Sequence, residues 1–319
     1  MGLHSRAGGV SLRHFMYYVV FAFLYLLSLL PLRVLYLLSD FAYVLVYHVL
    51  GYRKGVVLQN LSIAFPEKTA AERERLARQF YRNFTDTFIE TIKCISASNA
   101  WLQKHTIADL SLFHQLYQQG YKCQVHMGHN FNWELANISV THSMPYTLLG
   151  VYMPIKNKVV DRLFRHIRSR NGTVLLPATD MRRAMIPYRN QQYLLGLVAD
   201  QNPGDPRSAY WVRFFGQATP FVKGPEKGGR QAQAAIVFCH ITKVKRGYYQ
   251  VHFTLAHTQP HLLPEGELTR QYVAFLEKII RANPEMWLWS HRRWKLQWKP
   301  EYGPVLEPQA AAAPTESPN

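Results

Sequence analysis

The sequence predicts an α/β fold: a mixed, largely parallel central sheet flanked by helices, behind an N-terminal helical segment that anchors the chain to a membrane. Three observations predict it. Strand-like and helix-like stretches alternate from residue 121 onward, and the first 50 residues carry two long apolar runs. A length of 319 residues is enough to bury one α/β core with an accessory segment to spare.

Residues 1–14 are polar and include Arg6 and Arg13, whereas residues 15–30 (FMYYVVFAFLYLLSLL) are wholly uncharged and meet Pro31. A second apolar run, Val34 to Leu50, is interrupted by Asp40 and His48. The first run is shorter than the roughly 20 residues a helix needs to cross a bilayer, unless Pro31 kinks the helix rather than ending it. No small-x-small site closes it, which disfavours a cleaved signal peptide. Tyr17, Tyr18, Tyr25 and Tyr36 suit anchoring at a membrane interface. Basic residues on both flanks, Arg6 and Arg13 before and Arg53 and Lys54 after, leave the orientation open. Residues 15–50 therefore read as an anchor, either one span plus an interfacial helix or a shallow hairpin. The alternative is a hairpin buried in the core.

Thr69 and Glu72 form a capping box, and Leu76, Phe80, Phe84 and Phe88 recur at helical spacing, so a helix is expected over 70–95. Its Glu72, Arg73, Glu74 and Arg75 read as a solvated face. Beyond residue 121 the expected order is strand 121–127, helix 131–141, strand 146–152, helix 157–170, strand 173–176, helix 180–190 and strand 193–199. The crossovers are long enough for parallel pairing. Strands at 234–243 and 248–256 are joined by the hairpin-like KVKRG, and a helix from about 267 to 282 follows. The resulting organisation is an anchor at 1–50, an α/β domain at 51–302 and a Pro/Ala-rich disordered tail at 303–319.

A formal net charge of +17 and a pI near 9.8 call for an anionic partner: nucleic acid, an anionic membrane or a phosphorylated substrate. No basic-aromatic nucleic-acid motif is present, so no nucleic-acid partner is expected. Cys94, Cys123 and Cys239 are dispersed, which fits a reducing compartment rather than a disulfide framework. With neither CxxC nor HExxH spacing, no metal site is expected.

The stretch VHMGHNFNWEL, Val125 to Leu135, reads as a strand end, a glycine turn at Gly128 and a helix start. It holds a His-x4-Glu pair, His129 and Glu134. Five helical residues rotate by about 500°, leaving two side chains about 140° apart, so the pair converges only if His129 lies in the turn and Glu134 points back from the first helical turn. Such a carboxylate would fix the tautomer of the imidazole and raise its basicity. A His and a Glu at this spacing are ordinarily unrelated surface residues. The position between a strand and a helix, where α/β enzymes place their chemistry, is what lifts this pair above that reading.

Taken in order, several stretches resemble one family: NLSIAFPE at 60–67, GHNFNWE at 128–134, VYMPIKNKVVDRLFRHIRSRNG at 151–172, ADQNPG at 199–204, FFGQATPF at 214–221 and WLWSHRRWK at 287–295. Together they are similar to the late acyltransferases of lipid A biosynthesis, the lauroyl/myristoyl transferase family, over nearly the whole chain. The resemblance implies a glycerolipid-acyltransferase-like fold. It also implies transfer of a fatty acyl chain from acyl carrier protein to a hydroxyl of a 3-hydroxyacyl chain on a lipid A precursor. That reaction takes place on the cytoplasmic side of a Gram-negative inner membrane and uses no cofactor beyond the acyl carrier protein donor. The related glycerolipid acyltransferases typically carry aspartate where this chain has Glu134, and they lack the C-terminal tryptophan-arginine run.

On this reading His129 takes the proton of the attacking hydroxyl and Glu134 holds the imidazole. The nucleophile belongs to the substrate, so Cys123 reads as strand core. Backbone N–H groups from Asn130 to Asn132 are candidate oxyanion donors. By resemblance Arg168 is the stronger donor, and Asp200 is a functional acid that orients that arginine or the substrate. Asn132, Arg170, Arg292 and Arg293 are the expected substrate contacts, within a cationic set (Arg162, Arg165, Arg182, Arg183, Arg189, Lys295) suited to lipid phosphates, the acidic carrier protein or an anionic leaflet. Trp287, Trp289, Trp294 and Trp298 read as core or membrane-belt residues. The chain departs from the family pattern at Tyr152-Met153-Pro154, where relatives often carry an arginine in the middle position. The alternatives to this reading are a glycerolipid or aminolipid acyltransferase and a non-enzymatic binder of anionic membranes.

Overall fold

The computed structural model describes residues 5–310, with side chains before residue 14 described only at Leu12. The basic flank at Arg6 and Arg13 and residues 311–319 of the expected tail lie outside the described parts. The helices and strands follow in chain order: α1 (Ser5–Leu29), α2 (Leu32–Tyr43), α3 (Lys54–Ala64), α4 (Ala70–Lys93), α5 (Asn99–His105), β1 (Thr106–Ala108), α6 (Ser111–Gln118), β2 (Cys123–Met127), α7 (Trp133–Thr141), β3 (Thr147–Tyr152) and α8 (Lys158–Arg168). They continue with β4 (Val174–Pro177), α9 (Met181–Ala184), β5 (Tyr193–Val198), β6 (Ala209–Phe214), β7 (Gln217–Val222), α10 (Gly224–Ala232), β8 (Ala235–Lys245), β9 (Tyr248–His257), α11 (Glu267–Ala282) and β10 (Val305–Leu306).

Seven strands form the main sheet in the order β1-β9-β8-β2-β5-β3-β4. Every neighbouring pair is parallel except the β8–β9 hairpin, so the sheet is mixed and largely parallel as its alternating sequence predicts. Gly247, at positive φ, makes the tight turn of that hairpin. β2 is central and four of its five residues are buried, which is why it reads as a short apolar run. The capping box at the start of α4 is present as expected, with both reciprocal bonds between Thr69 and Glu72. α11 takes its cap from another element: the buried Glu226 of α10 accepts from the Gly266 and Thr269 N–H groups at 2.5 and 2.9 Å.

Two expectations are corrected. The helix over 180–190 shrinks to the single turn α9 between tighter turns, because Pro187 has no N–H to donate and clashes with a continuing helix. The tail over 303–319 is not wholly outside the fold, because β10 pairs in parallel with β6 to form a three-stranded sheet, β10-β6-β7.

Pro31 ends α1 rather than kinking it. Among the described residues, the helical stretch long and apolar enough to cross a membrane, by length and composition, is therefore Leu32–Val49, and not residues 15–30. Asp40, which interrupts that run, is compensated by the Arg246 guanidinium at 2.6 Å. Both N-terminal helices lie against the α/β domain on one side. Ser39 donates to Asp86 of α4 at 2.7 Å, Tyr36 donates to Glu90 at 2.7 Å, and Lys93 donates to the Ser28 carbonyl at 2.8 Å. Their other side is apolar and bare, with Phe23, Leu26, Leu37, Phe41 and Val49 each at least 65% exposed.

Candidate active site

β2 and β5 are parallel neighbours with Met127 opposite Val198. Two residues past each strand end lie His129 and Asp200, so the sheet register itself brings this pair together. The Asp200 carboxylate accepts from the imidazole Nδ1 and, at 2.8 Å, from the His129 backbone N–H. It also accepts from the Trp287 indole at 2.6 Å. Burial alone would push the Asp200 carboxyl up, but the neighbouring His129 charge and these bonds bring it down to about 2. It is therefore an anion at any physiological pH. With Nδ1 donating to Asp200, Nε2 of His129 is the acceptor nitrogen. It faces the Gln201 side-chain amide at 3.1 Å, on an imidazole that is 19% exposed.

Glu134 is thus not the group that holds the imidazole. It lies in the first turn of α7, 4% exposed, and forms a bidentate pair with Arg168 at the end of α8, with Nε 2.9 and 3.0 Å from its two oxygens and Nη2 also bonded. The reason is that strand register turns the His129 imidazole towards Asp200, while packing of α7 on α8 turns Glu134 towards Arg168. The indole of Trp133 fills the gap, with its ring edge-on to His129 at 5.3 Å between centroids and its Nε1 donating to Glu134 at 3.2 Å. Asp200 does not orient Arg168 either. Nη1 of Arg168 carries no hydrogen bond among the described residues and is the cation of the site with an N–H to spare.

The other expected contacts are structural. Asn132, fully buried, caps α7 by accepting from the Leu135 N–H at 3.1 Å and donates to Glu90 at 2.9 Å. The N–H groups of Asn130 and Phe131 bond the Gly128 and Met286 carbonyls, so neither is left for an oxyanion. Arg170 spends its guanidinium on the Cys94 and Ala97 carbonyls past the end of α4, where a cation complements the helix dipole. Arg293 is fully buried behind the site, bonded to Asn202 at 2.6 Å and to the Pro220 carbonyl at 2.9 Å. Burial lowers its ordinarily very high pKa to about 10. Arg292 remains exposed, and its carbonyl accepts from Asn202.

The remaining motifs buttress this corner. Asn60 donates to the Trp289 and His291 carbonyls at 2.7 Å each, and Phe65 packs on Phe215 and Trp289. Trp287 and Trp289 are buried core, whereas Trp298 lies at the surface. Cys123 is fully buried and burial raises its thiol to about 11, which suits packing and not nucleophilic attack. Gly128 sits where a Cβ would come within 2.6 Å of Leu276 and 3.1 Å of Asp200. Sequence reasoning missed Gln201, Trp133 and the bond from Trp287. Gln201 follows the aspartate in ADQNPG, but only strand register shows that it faces the imidazole.

The arrangement is a tautomer-fixed histidine whose Nε2 meets the Gln201 amide, linked through Trp133 to an arginine held by a buried carboxylate. It can remove a proton from a hydroxyl and stabilise a developing oxyanion.

The chain is 21% identical over 246 residues to the lipid A biosynthesis palmitoleoyltransferase of Escherichia coli K12, covering 76% of this chain and 79% of that protein. A lipid A biosynthesis acyltransferase of Shigella flexneri is similar to the same extent. The family model described as bacterial lipid A biosynthesis acyltransferase matches residues 8–296. This chain is an acyltransferase and belongs to the bacterial lipid A biosynthesis acyltransferase family.

Proposed function

We propose that this protein moves a fatty acyl chain from acyl carrier protein to a hydroxyl of a 3-hydroxyacyl chain on a lipid A precursor, in lipopolysaccharide biosynthesis. The observation that carries the mechanism is the His129–Asp200 pair. An aliphatic alcohol attacks a thioester poorly while it keeps its proton. The substrate hydroxyl displaces the Gln201 amide from Nε2 and gives its proton to His129 as the C–O bond forms, and Asp200 stabilises the imidazolium. The carbonyl oxygen becomes an oxyanion against the spare Arg168 N–H, and Glu134 keeps that guanidinium in place and charged. Collapse expels the carrier protein thiolate, which receives the proton from His129. No cofactor is required.

In the same reading residues 1–50 anchor the chain at the bacterial inner membrane through the bare apolar side of α1 and α2, with residues 51–302 facing the cytoplasm. There the lipid acceptor and the soluble acyl donor meet.

The test is an assay of purified protein in detergent, using tetra-acylated lipid A precursor and acyl carrier protein loaded with chains of several lengths, read by mass spectrometry. One added acyl chain in acyloxyacyl linkage, lost in His129→Ala, is the expected result. With a lysoglycerophospholipid supplied as a competing acceptor, a glycerol ester formed in preference to that product would replace this acceptor with a glycerolipid.

A further inference from the structure

We propose that the cleft between α1 and α8 binds a phosphate group of the acceptor glycolipid, with Arg162 and Arg165 as its ligands. This deepens the acyl-transfer reading and rests on it for the identity of the acceptor.

The cleft, about 580 Å³, is lined by Tyr17, Arg162, Arg165, His166, Ser169 and Thr173, with two β4 residues at its floor and no carboxylate. The nearest acid in sequence, Asp161, is buried and bonded to the Ile155 N–H at 2.8 Å. Arg162 is already oriented. Its guanidinium carbon lies 3.9 Å from the Tyr17 ring centroid and 5.2 Å from that of Tyr18, and Nη2 donates to the Tyr18 hydroxyl at 3.3 Å. Aromatic stacking fixes the plane of a guanidinium without neutralising its charge, so its outer N–H groups stay directed at an anion. Arg165 stands one helical turn on, its guanidinium 6.0 Å from the Tyr152 ring centroid.

The surroundings select an amphiphile. Tyr17 lines the cleft from α1, and the exposed Tyr18 beside it, in contact with Arg162, leads on to the bare apolar face that carries Phe15 and Leu26; the α8 side presents Arg162, Arg165, His166 and Ser169. A ligand with acyl chains along the bare face of α1 and a phosphate against α8 satisfies both walls. The same helix ends at Arg168. Six residues separate Arg162 from Arg168, about 9 Å along an α-helix, which is the length scale of a disaccharide head. A phosphate held at Arg162 and Arg165 would set the distance between the head group and the reacting hydroxyl on one rigid element.

The experiment compares wild-type, Arg162→Gln and Arg165→Gln full-length protein in phosphatidylcholine nanodiscs, using bisphosphorylated and dephosphorylated tetra-acyl diglucosamine as acceptors. KM for the bisphosphorylated acceptor is expected to rise about tenfold in each variant, with kcat and the KM for acyl carrier protein little changed. KM for the dephosphorylated acceptor should be the same in variant and wild type. An equal rise with both acceptors overturns the proposal, and so does a rise in the donor KM instead. Phosphatidylglycerol in the disc, or millimolar inorganic phosphate, should leave the wild-type KM unchanged; effective competition by either would make the cleft a general anion site and overturn it.

Equilibrium binding of the bisphosphorylated glycolipid to His129→Ala protein, followed by tryptophan fluorescence, separates this proposal from the acyl-transfer reading. Adding Arg162→Gln should weaken that binding about tenfold, while adding Arg75→Gln, an exposed arginine of α4 outside the cleft, should not. A binding difference without turnover from any donor would sink the acyl-transfer reading and keep the phosphate site. Turnover with no binding difference would do the reverse.

Discussion

The two ends of the stretch from His129 to Glu134 are built by different means. At the first end, parallel register between β2 and β5 delivers an aspartate 71 residues away in sequence to the imidazole. At the other, packing of α7 on α8 delivers an arginine 34 residues away to the glutamate. Two residues that look like a pair in the sequence therefore belong to two separate ion pairs, with Trp133 between them. The sheet end fixes the tautomer of an imidazole whose second nitrogen meets only a side-chain amide. The helix end immobilises a cation that must not move, and both carboxylate oxygens are used.

If the two ends are independent in this way, breaking them should give different signatures. The largest effect is expected at the sheet end. His129→Ala should lower kcat/KM by about 10²–10⁴-fold, and Asp200→Asn by a loss approaching 10⁴-fold, with the circular dichroism spectrum unchanged. Glu134→Gln should instead show first as instability, about 3 kcal/mol in chemical denaturation, because it strands a partly buried guanidinium. A double-mutant cycle sharpens the contrast: Glu134→Gln with Arg168→Gln should be strongly non-additive in stability, and Glu134→Gln with Asp200→Asn close to additive.

Gly128→Ala pushes a methyl into Leu276 and should cost about 1–3 kcal/mol together with activity, and Leu276→Ala in the same chain should restore part of both. The smallest effect concerns acid. The Asp200 value of about 2 lies below that of an aspartate in an unfolded chain, so its stabilisation is complete above about pH 4 and lost as the pH falls towards 2. Denaturation midpoints followed from pH 5 to pH 2 should show wild type losing about 2 kcal/mol more than Asp200→Asn.

How much of this was legible in the sequence depended on the range of the interaction. The α4 capping box, the β8–β9 hairpin and the strand–turn–helix around Gly128 are local, and they stand where their residues predict. His129, Glu134, Arg168 and Asp200 do meet at one corner, but their pairing was not readable, since it follows from strand order and helix packing and not from spacing. Arg170 and Arg293 read as substrate contacts because nothing local marks a guanidinium that ends on backbone carbonyls. The β6–β7 hairpin and β10 carried too weak a pattern to be noticed, with Pro220 inside one strand and only two residues in the other.

Glu90 has one further consequence. It is wholly buried, and burial raises its pKa; its two oxygens take bonds from Tyr36 of α2, Tyr249 of β9 and Asn132 at the cap of α7. Three parts of the chain far apart in sequence thus close on a single carboxyl group. Such a joint couples the N-terminal helices to the α/β domain, and a single transition in thermal unfolding is the expected outcome. A chain beginning after residue 50 is therefore expected to be less stable than the full chain, because it leaves Glu90 one partner short beside the Asn132 cap of α7.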